Sequence, residues 1–185
     1  MLTPAFDPDL GADPAGLAAT KAQVWEFINQ VPGPQWRQAL ATQVAAQAEW
    51  HVFHPINGLS GAQAVADGLY GPLIQAFPDL ERRTDIFFGG HWDGHIVGGQ
   101  GHWCTAVGHY MGTFTHPWQG IAPTGKTACL RFGEFYRCEG GRIVEARVLL
   151  DIVDLARQAG VALLPPSPGA DLLVPGPRLD RKSVV

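Results

Sequence analysis

An α+β fold, helices first and then a mostly antiparallel sheet of four strands, is what this sequence predicts. Three observations carry that reading. Between Leu17 and Phe77 apolar residues recur at helical spacing. From Glu81 to Leu150 the chain turns aromatic and β-branched, punctuated by Gly and Pro, as half-buried strands and their turns are. Glu139-Gly140-Gly141 then separates two such runs, and a hairpin turn needs the positive φ that glycine supplies without a Cβ clash. Helices and strands segregated in this order give α+β rather than alternating α/β.

Length and composition bound the rest. At 185 residues the chain is one ordinary domain with some excess and can bury a core. Hydrophobic content of 46% against 16% charged residues excludes a disordered chain. A net charge of −4 with no Lys/Arg block argues against nucleic acid and anionic lipid as partners. The amino terminus, MLTPAFDPDLGADPAG, has neither a basic leader nor an apolar core and predicts no signal peptide. No apolar run approaches the roughly 18–20 residues of a membrane span. Cys104, Cys129 and Cys138 lack CxxC spacing, so free thiols in a reducing cytoplasm are expected.

Taken in order, residues 1–14 read as an extended arm and 15–161 as the domain. Leu17, Val24, Trp25 and Ile28 define a first helix, stopped by Pro32-Gly33-Pro34. Trp36, Leu40, Val44 and Ala48 continue on one face of a second, which His54-Pro55 breaks. Ser60-Gly61-Ala62-Gln63 fits a capping box and starts a third helix near Gly61, with Val65, Leu69, Leu73 and Phe77 inward and a kink at Gly71-Pro72. Strands follow at Glu81–Phe88, Trp103–Phe114, Lys126–Cys138 and Arg142–Leu150, with residues 89–101 a long glycine-rich loop. A short helix, Ile152–Gln158, ends at Gly160. Residues 162–185 form a Pro-rich tail.

Several segments together resemble the SnoaL-like polyketide cyclase/ester cyclase family of the NTF2-like superfamily. They are His54-Pro55, Gly61 leading to Ala76-Phe77-Pro78-Asp79-Leu80, Gly108-His-Tyr-Met-Gly112, Gly120-Ile-Ala-Pro-Thr-Gly125, Gly141-Arg-Ile-Val-Glu145, Asp151 and Gln158-Ala-Gly160. The resemblance implies a cone-shaped barrel, a curved sheet wrapped by helices around a cavity for a small hydrophobic molecule, and a homodimer packed through the outer sheet face. It implies ring closure by intramolecular aldol condensation with no metal or cofactor. Glu134 falls where these cyclases place an active-site histidine, and Val148 falls at the position of their acid/base aspartate.

Strand alternation sorts the candidate site residues. Leu130, Phe132, Glu134 and Tyr136 share the more apolar face of their strand, which is the expected interior. Glu134 is then a carboxylate among aromatics; desolvation disfavours its charged form and raises its pKa toward a useful range for proton transfer. The structural alternative is a buried Glu satisfied by an arginine or by the Tyr136 hydroxyl. His109, beside Val107 and Met111, and His54, at the His-Pro corner, are the candidate partners, since histidine titrates near neutrality. His109 and Tyr110 alternate, so only one of them faces inward. Trp50, Phe53, Phe132 and Tyr136 are the expected apolar walls. Trp118, in a loop between strands, is placed at the opening or at a dimer contact, and ordinary core packing explains most of these aromatics equally well. Asp151 stands at the cavity mouth or, by its type and position, as the N-cap of the last helix.

Other signals carry less. His95, His102, His109 and His116 recur every seven residues, but odd spacing in a strand sends successive members to opposite faces. His51-x-x-His54 with Glu134 supplies metal-ligand types but no local metal motif, so no metal is assigned. Gly125-Lys126-Thr127 has the letters of a phosphate loop, but a strand follows where a helix N-terminus is needed, which excludes nucleotide binding. The expectation is a cofactor-free enzyme acting on a small hydrophobic carbonyl or ester compound. Alternatives are a non-catalytic small-molecule-binding protein and a protein-interaction domain.

Overall fold

The computed structural model describes residues 13–165. Most of the expected arm, through residue 12, and the Pro-rich tail from 166 onward lie outside the described residues.

Helix α1 (Pro14–Gln30) starts where Asp13 accepts a hydrogen bond from the Gly16 N–H at 2.9 Å. Pro14 takes a first-turn position, where its missing N–H would have had no partner anyway. Helix α2 (Trp36–Gln43) stops short of the expected length, and the residues read as its continuation form strand β1 (Val44–Val52). Ala and Gln favour helix in isolation. Here Val44, Ala48, Trp50 and Val52 bury while the strand pairs on both flanks, and that tertiary pairing outweighs propensity.

After β2 (Gly58–Ser60) come α3 (Gly61–Val65), a π-turn (Ala66–Tyr70) and α4 (Gly71–Ala76). The π-turn is the form taken by the break expected at Gly71-Pro72. The expected capping box does not close: Ser60 makes no side-chain bond, and Gln63 bonds Asp67 instead at 2.7 Å. Then follow β3 (Glu81–Trp92), β4 (Gly101–Thr113), β5 (Thr127–Glu139), β6 (Arg142–Leu150) and α5 (Ile152–Gln158). The glycine-rich loop is shorter than expected, because β3 runs on to Trp92 and pairs it with Gly101.

The sheet has six strands in the order β2-β1-β6-β5-β4-β3, two more than the sequence suggested, because β1 and β2 join its edge. Only the β1–β6 pairing is parallel among the described strands. The sheet is curved and unclosed. Helices α1, α2 and α3 pack on its inner face, with α4 against the π-turn; the other face is outer. The β5–β6 turn is as expected, with Gly140 at φ 55° and Gly141 at φ 74° between the paired Glu139 and Arg142. No helix among the described residues is long and apolar enough to cross a membrane.

One irregularity positions the site. The β3–β4 register shifts between Thr84 and Ile86, leaving Asp85 as the extra residue of a bulge. Arg82 and Thr84 therefore share the inner face with Tyr110 and Gly108, while beyond the bulge Phe87 and Gly89 share it with Ala106 and Cys104. Gly108 lies where the strands approach closely: a Cβ there would sit 2.0 Å from the Arg83 carbonyl oxygen.

Candidate functional site

Alternation along β5 turns Leu130, Phe132, Glu134 and Tyr136 inward at 3% exposure or less, with Phe135 outward at 43%. Glu134 is fully buried. Arg82 grips it in a bidentate pair, Nη1 donating to Oε1 at 3.2 Å and Nη2 to Oε2 at 2.6 Å. The Tyr110 hydroxyl donates to Oε1 at 2.9 Å and the Tyr136 hydroxyl to Oε2 at 2.8 Å. Arg82 Nη1 also donates to Tyr110 Oη at 2.7 Å, and the guanidinium lies 4.0 Å from the Phe132 ring centroid. Tyr70, from the π-turn, brings its hydroxyl to 3.5 Å from that of Tyr136. A carboxylate, a guanidinium and three phenols thus form one buried polar network under a layer of aromatic rings.

The electrostatics follow from burial. Burial works against the Arg82 cation, but Glu134 and the tyrosine oxygens outweigh it and hold the guanidinium above its ordinary value. Burial pushes Tyr110, Tyr136 and Tyr70 up, and the Glu134 charge pushes each further. All three phenols are therefore neutral hydroxyls near neutral pH, where even an unperturbed tyrosine is protonated. Glu134 meets the structural alternative in its sequence reading, with both an arginine and the Tyr136 hydroxyl as partners.

The other expected site residues divide. Trp50, Phe132 and Tyr136 join Glu134 on the inner face, at 0%, 3% and 0% exposure. Ring centroids lie 5.8 Å apart for Trp50–Tyr136 and for Phe27–Tyr136, and 5.9 Å for Trp50–Tyr70. His109 does not join them. Tyr110 takes the inward position, so His109 lies on the outer face, with Nδ1 3.3 Å from the bulge carboxylate of Asp85. His54 is exposed at a cis His54–Pro55 corner and is not among the partners of Glu134. Phe53 and Asp151 line a groove of about 400 Å³ together with Phe132, so it brings three of the expected ligand-binding residues to one place, although Glu134 is not among its walls. Asp151 caps α5, accepting from the Asp154 N–H at 2.9 Å, and pairs with Arg131 at 2.7 Å. Trp118 is neither lid nor exposed contact; it is 2% exposed in the core. Val148 is inward and pairs with Glu134 across β5 and β6, so an apolar side chain adjoins the carboxylate.

Sequence reasoning missed Arg82 and Tyr70, and left Tyr110 undecided against His109. Two arginines stand in Glu81-Arg82-Arg83-Thr84, and the bulge at Asp85 breaks the alternation that would have chosen between them. Tyr70 sat in a segment read as plain helix, and the π-turn there carried no signal beyond Gly71-Pro72. Among the described residues no cluster of three or more His, Cys, Asp or Glu side chains is placed to hold a metal ion.

Outside this network, grooves open on the outer sheet face. One of about 380 Å³ is walled by Phe88, Trp92, Trp103, Phe135 and Arg147, and one of about 230 Å³ continues past Gly133 to Leu149.

The sequence profile of the family described as SnoaL-like polyketide cyclase matches residues 22–159. None of the curated proteins matches the chain. Among solved structures, a candidate SnoaL-like polyketide cyclase from Jannaschia sp. CCS1 superposes with TM-score 0.59 at 16% identity, covering 78% of this chain and 94% of that one. AclR, a candidate hydroxylase from Streptomyces galilaeus, gives 0.64 at 19% identity, covering 82% and 90%. IdmH, a candidate polyketide cyclase from Streptomyces antibioticus, gives 0.60 at 18%, covering 76% and 99%. At these identities the likeness to solved structures concerns the fold.

Proposed function

The chain belongs to the SnoaL-like polyketide cyclase family, and from that premise we propose an enzyme of the polyketide or ester cyclase type. It acts by acid/base chemistry, without metal or cofactor, on a small hydrophobic carbonyl or ester compound. The observation that carries the reading is the buried network around Glu134. A buried ion pair is often no more stabilising than apolar residues of the same volume. Titratable groups gathered this way, with phenols pushed well above their ordinary values by burial and a neighbouring charge, are a functional-site signal. Aldol ring closure removes one carbon-bound proton and protonates one alkoxide, so it asks only for a group that takes a proton and gives it back. Glu134 is the carboxylate that the inner faces of β5 and β6 offer, and it is assigned that role in place of the aspartate whose position Val148 occupies. The expected partner roles of His109 and His54 are not carried forward, because neither reaches the network.

The test offers aromatic polyketide methyl esters bearing a ketone side chain to wild type and to Glu134→Gln, and follows cyclised product by mass spectrometry. Turnover should fall by at least about 100-fold, with ester affinity nearly unchanged. Equal turnover by the variant would sink the assignment.

A second reading is an interaction domain that works through its outer face. Its support is apolar exposure there: Phe88 at 54%, Phe135 at 43% and Leu149 at 59%, beside the outer grooves. The enzyme reading uses the same face for a homodimer. Wild type that turns over no ester while binding partners through this face would favour the second reading.

A further inference from the structure

We propose that Tyr70 is the hydroxyl that meets the ligand, that it exchanges protons with Glu134 through Tyr136, and that the Trp50 indole N–H holds the ligand's carbonyl oxygen. The inference deepens the acid/base reading and rests on it.

It starts from the saturation of Glu134. A carboxylate has about four lone-pair sites, and four donor contacts occupy them: two from Arg82, one from Tyr110 and one from Tyr136. The carboxylate therefore reaches a ligand through one of its donors. Arg82 cannot give up a proton. Tyr110 donates to Glu134 and already accepts from Arg82 at 2.7 Å. Tyr136 donates to Glu134, and its contact on the other side is Tyr70, 3.5 Å away. Arg82 Nε also reaches Thr84 Oγ1 at 3.1 Å, but of the two phenols that donate to Glu134 it is Tyr136 that has a further hydroxyl beside it, that of Tyr70.

Two buried donors lie at that end, one held by a single long contact and one with no partner. The Tyr70 hydroxyl belongs to a residue 2% exposed, and its 3.5 Å contact is longer than a well-formed O–H···O bond. Trp50 is fully buried, and its Nε1 has no hydrogen-bond partner among the described residues. An orphaned donor such as the Trp50 N–H is uncommon and calls for an acceptor. The indole packs edge-on against Tyr70, with ring centroids 5.9 Å apart. Tyr70 also ends the π-turn, a helical irregularity that recurs at functional sites. Trp36, Gly71 and Pro72 wall a groove of about 430 Å³ on the helix side of that turn. Entry requires the turn to move there, since Trp50 and Tyr70 are closed to solvent.

The step balances. The C–H electron pair beside the ligand carbonyl becomes the enolate π-bond, and the proton passes to Tyr70 Oη. The Tyr70 proton moves to Tyr136 Oη and the Tyr136 proton to Glu134 Oε2, which becomes a neutral acid. Trp50 N–H stabilises the enolate oxygen. The enolate carbon bonds to a second carbonyl carbon of the same molecule, whose π electrons move to its oxygen. That alkoxide takes a proton from Tyr70 as the relay runs backward, and no atom is gained or lost.

The probe is 1-tetralone, an aromatic ketone with exchangeable α-protons. Its α-deuteration in D₂O is followed by proton NMR, and its affinity is measured by titration against indole ¹⁵N–¹H spectra. Wild type should accelerate exchange over buffer, and Tyr70→Phe and Tyr136→Phe should each lower the rate by about 100-fold while tetralone affinity changes little. Trp50→Phe should remove the one indole signal that tetralone shifts and weaken binding about tenfold, the scale of one lost hydrogen bond. Loss of exchange in Glu134→Gln with a wild-type rate in Tyr70→Phe would overturn the relay and leave the acid/base reading standing. Wild type no faster than buffer would overturn both. Where Tyr70→Phe does not fold, Tyr136→Phe decides by the same rate.

Discussion

Arg82 Nη2 lies 2.6 Å from Glu134 Oε2, with 4% and 1% of the two side chains exposed, although β4 separates their strands. A pair this dry is bistable in its consequences: intact it is satisfied, and broken it strands a charge in the core. Arg82→Met and Glu134→Leu should each destabilise the fold by about 3–5 kcal/mol. The double variant should fall short of the sum by about 2–3 kcal/mol, because each single change already removes the shared interaction. Urea unfolding of the four proteins measures the cycle; strict additivity would show that the pair is not coupled.

Glu145 gives the fold an acid-sensitive point on the outer face. Burial pushes its carboxyl up, but the Gly99 N–H, Arg147 and Arg137 together hold it below its ordinary value. A depressed carboxylate stabilises the fold above its unfolded pKa, and that contribution is lost as pH falls through the lower folded value. The melting temperature of wild type should therefore drop as pH goes below 4.5, and Glu145→Gln should show a shallower drop over the same window. Parallel acid limbs for the two proteins would contradict this.

Gly108 is a steric requirement. A Cβ there would meet the Arg83 carbonyl oxygen at 2.0 Å and Phe132 Cζ at 3.0 Å, and the first is backbone that cannot swing aside. Gly108→Ala should destabilise by about 3 kcal/mol, the upper range for forced overpacking. Gly133→Ala, where a Cβ meets nothing within 4 Å, is the matched control and should stay near wild type. Chemical denaturation of both variants reads the difference.

The proposed homodimer makes its own prediction. Phe135 and Leu149 stand exposed on the outer face at 43% and 59%. Replacing either by Glu would place an unpaired charge in the interface, which is costly unless it is compensated. Sedimentation velocity should show wild type as a dimer and Phe135→Glu as a monomer with unchanged circular dichroism. A monomeric wild type would remove the interface.

Legibility differed from residue to residue for physical reasons. Side-chain alternation is a local property of a regular strand, so the inward placement of Glu134 with Phe132 and Tyr136 was readable from β5 alone. The Asp151 cap and the Gly140-Gly141 turn were readable too, because caps and tight turns are met by side-chain type and φ within a few residues. His109 was left undecided beside Tyr110, since alternation says that two neighbours differ without saying which faces the helices. The period-two burial of Ala48, Trp50 and Val52 was the available signal for β1, masked by helix-favouring Ala and Gln around it.

By itself the sequence determined the α+β class, the family, the β5–β6 hairpin and the carboxylate at its inner face. These rest on local pattern, turn chemistry and motif spacing, which need no partner strand to be present. Only the tertiary structure decided what Glu134 meets there. It brought Arg82 across from β3 through a bulge, Tyr110 from β4 and Tyr70 from the π-turn, and it turned His109 away. Those contacts join residues from 24 to 66 positions apart, so their geometry comes from strand register and helix packing, which no short stretch of sequence contains.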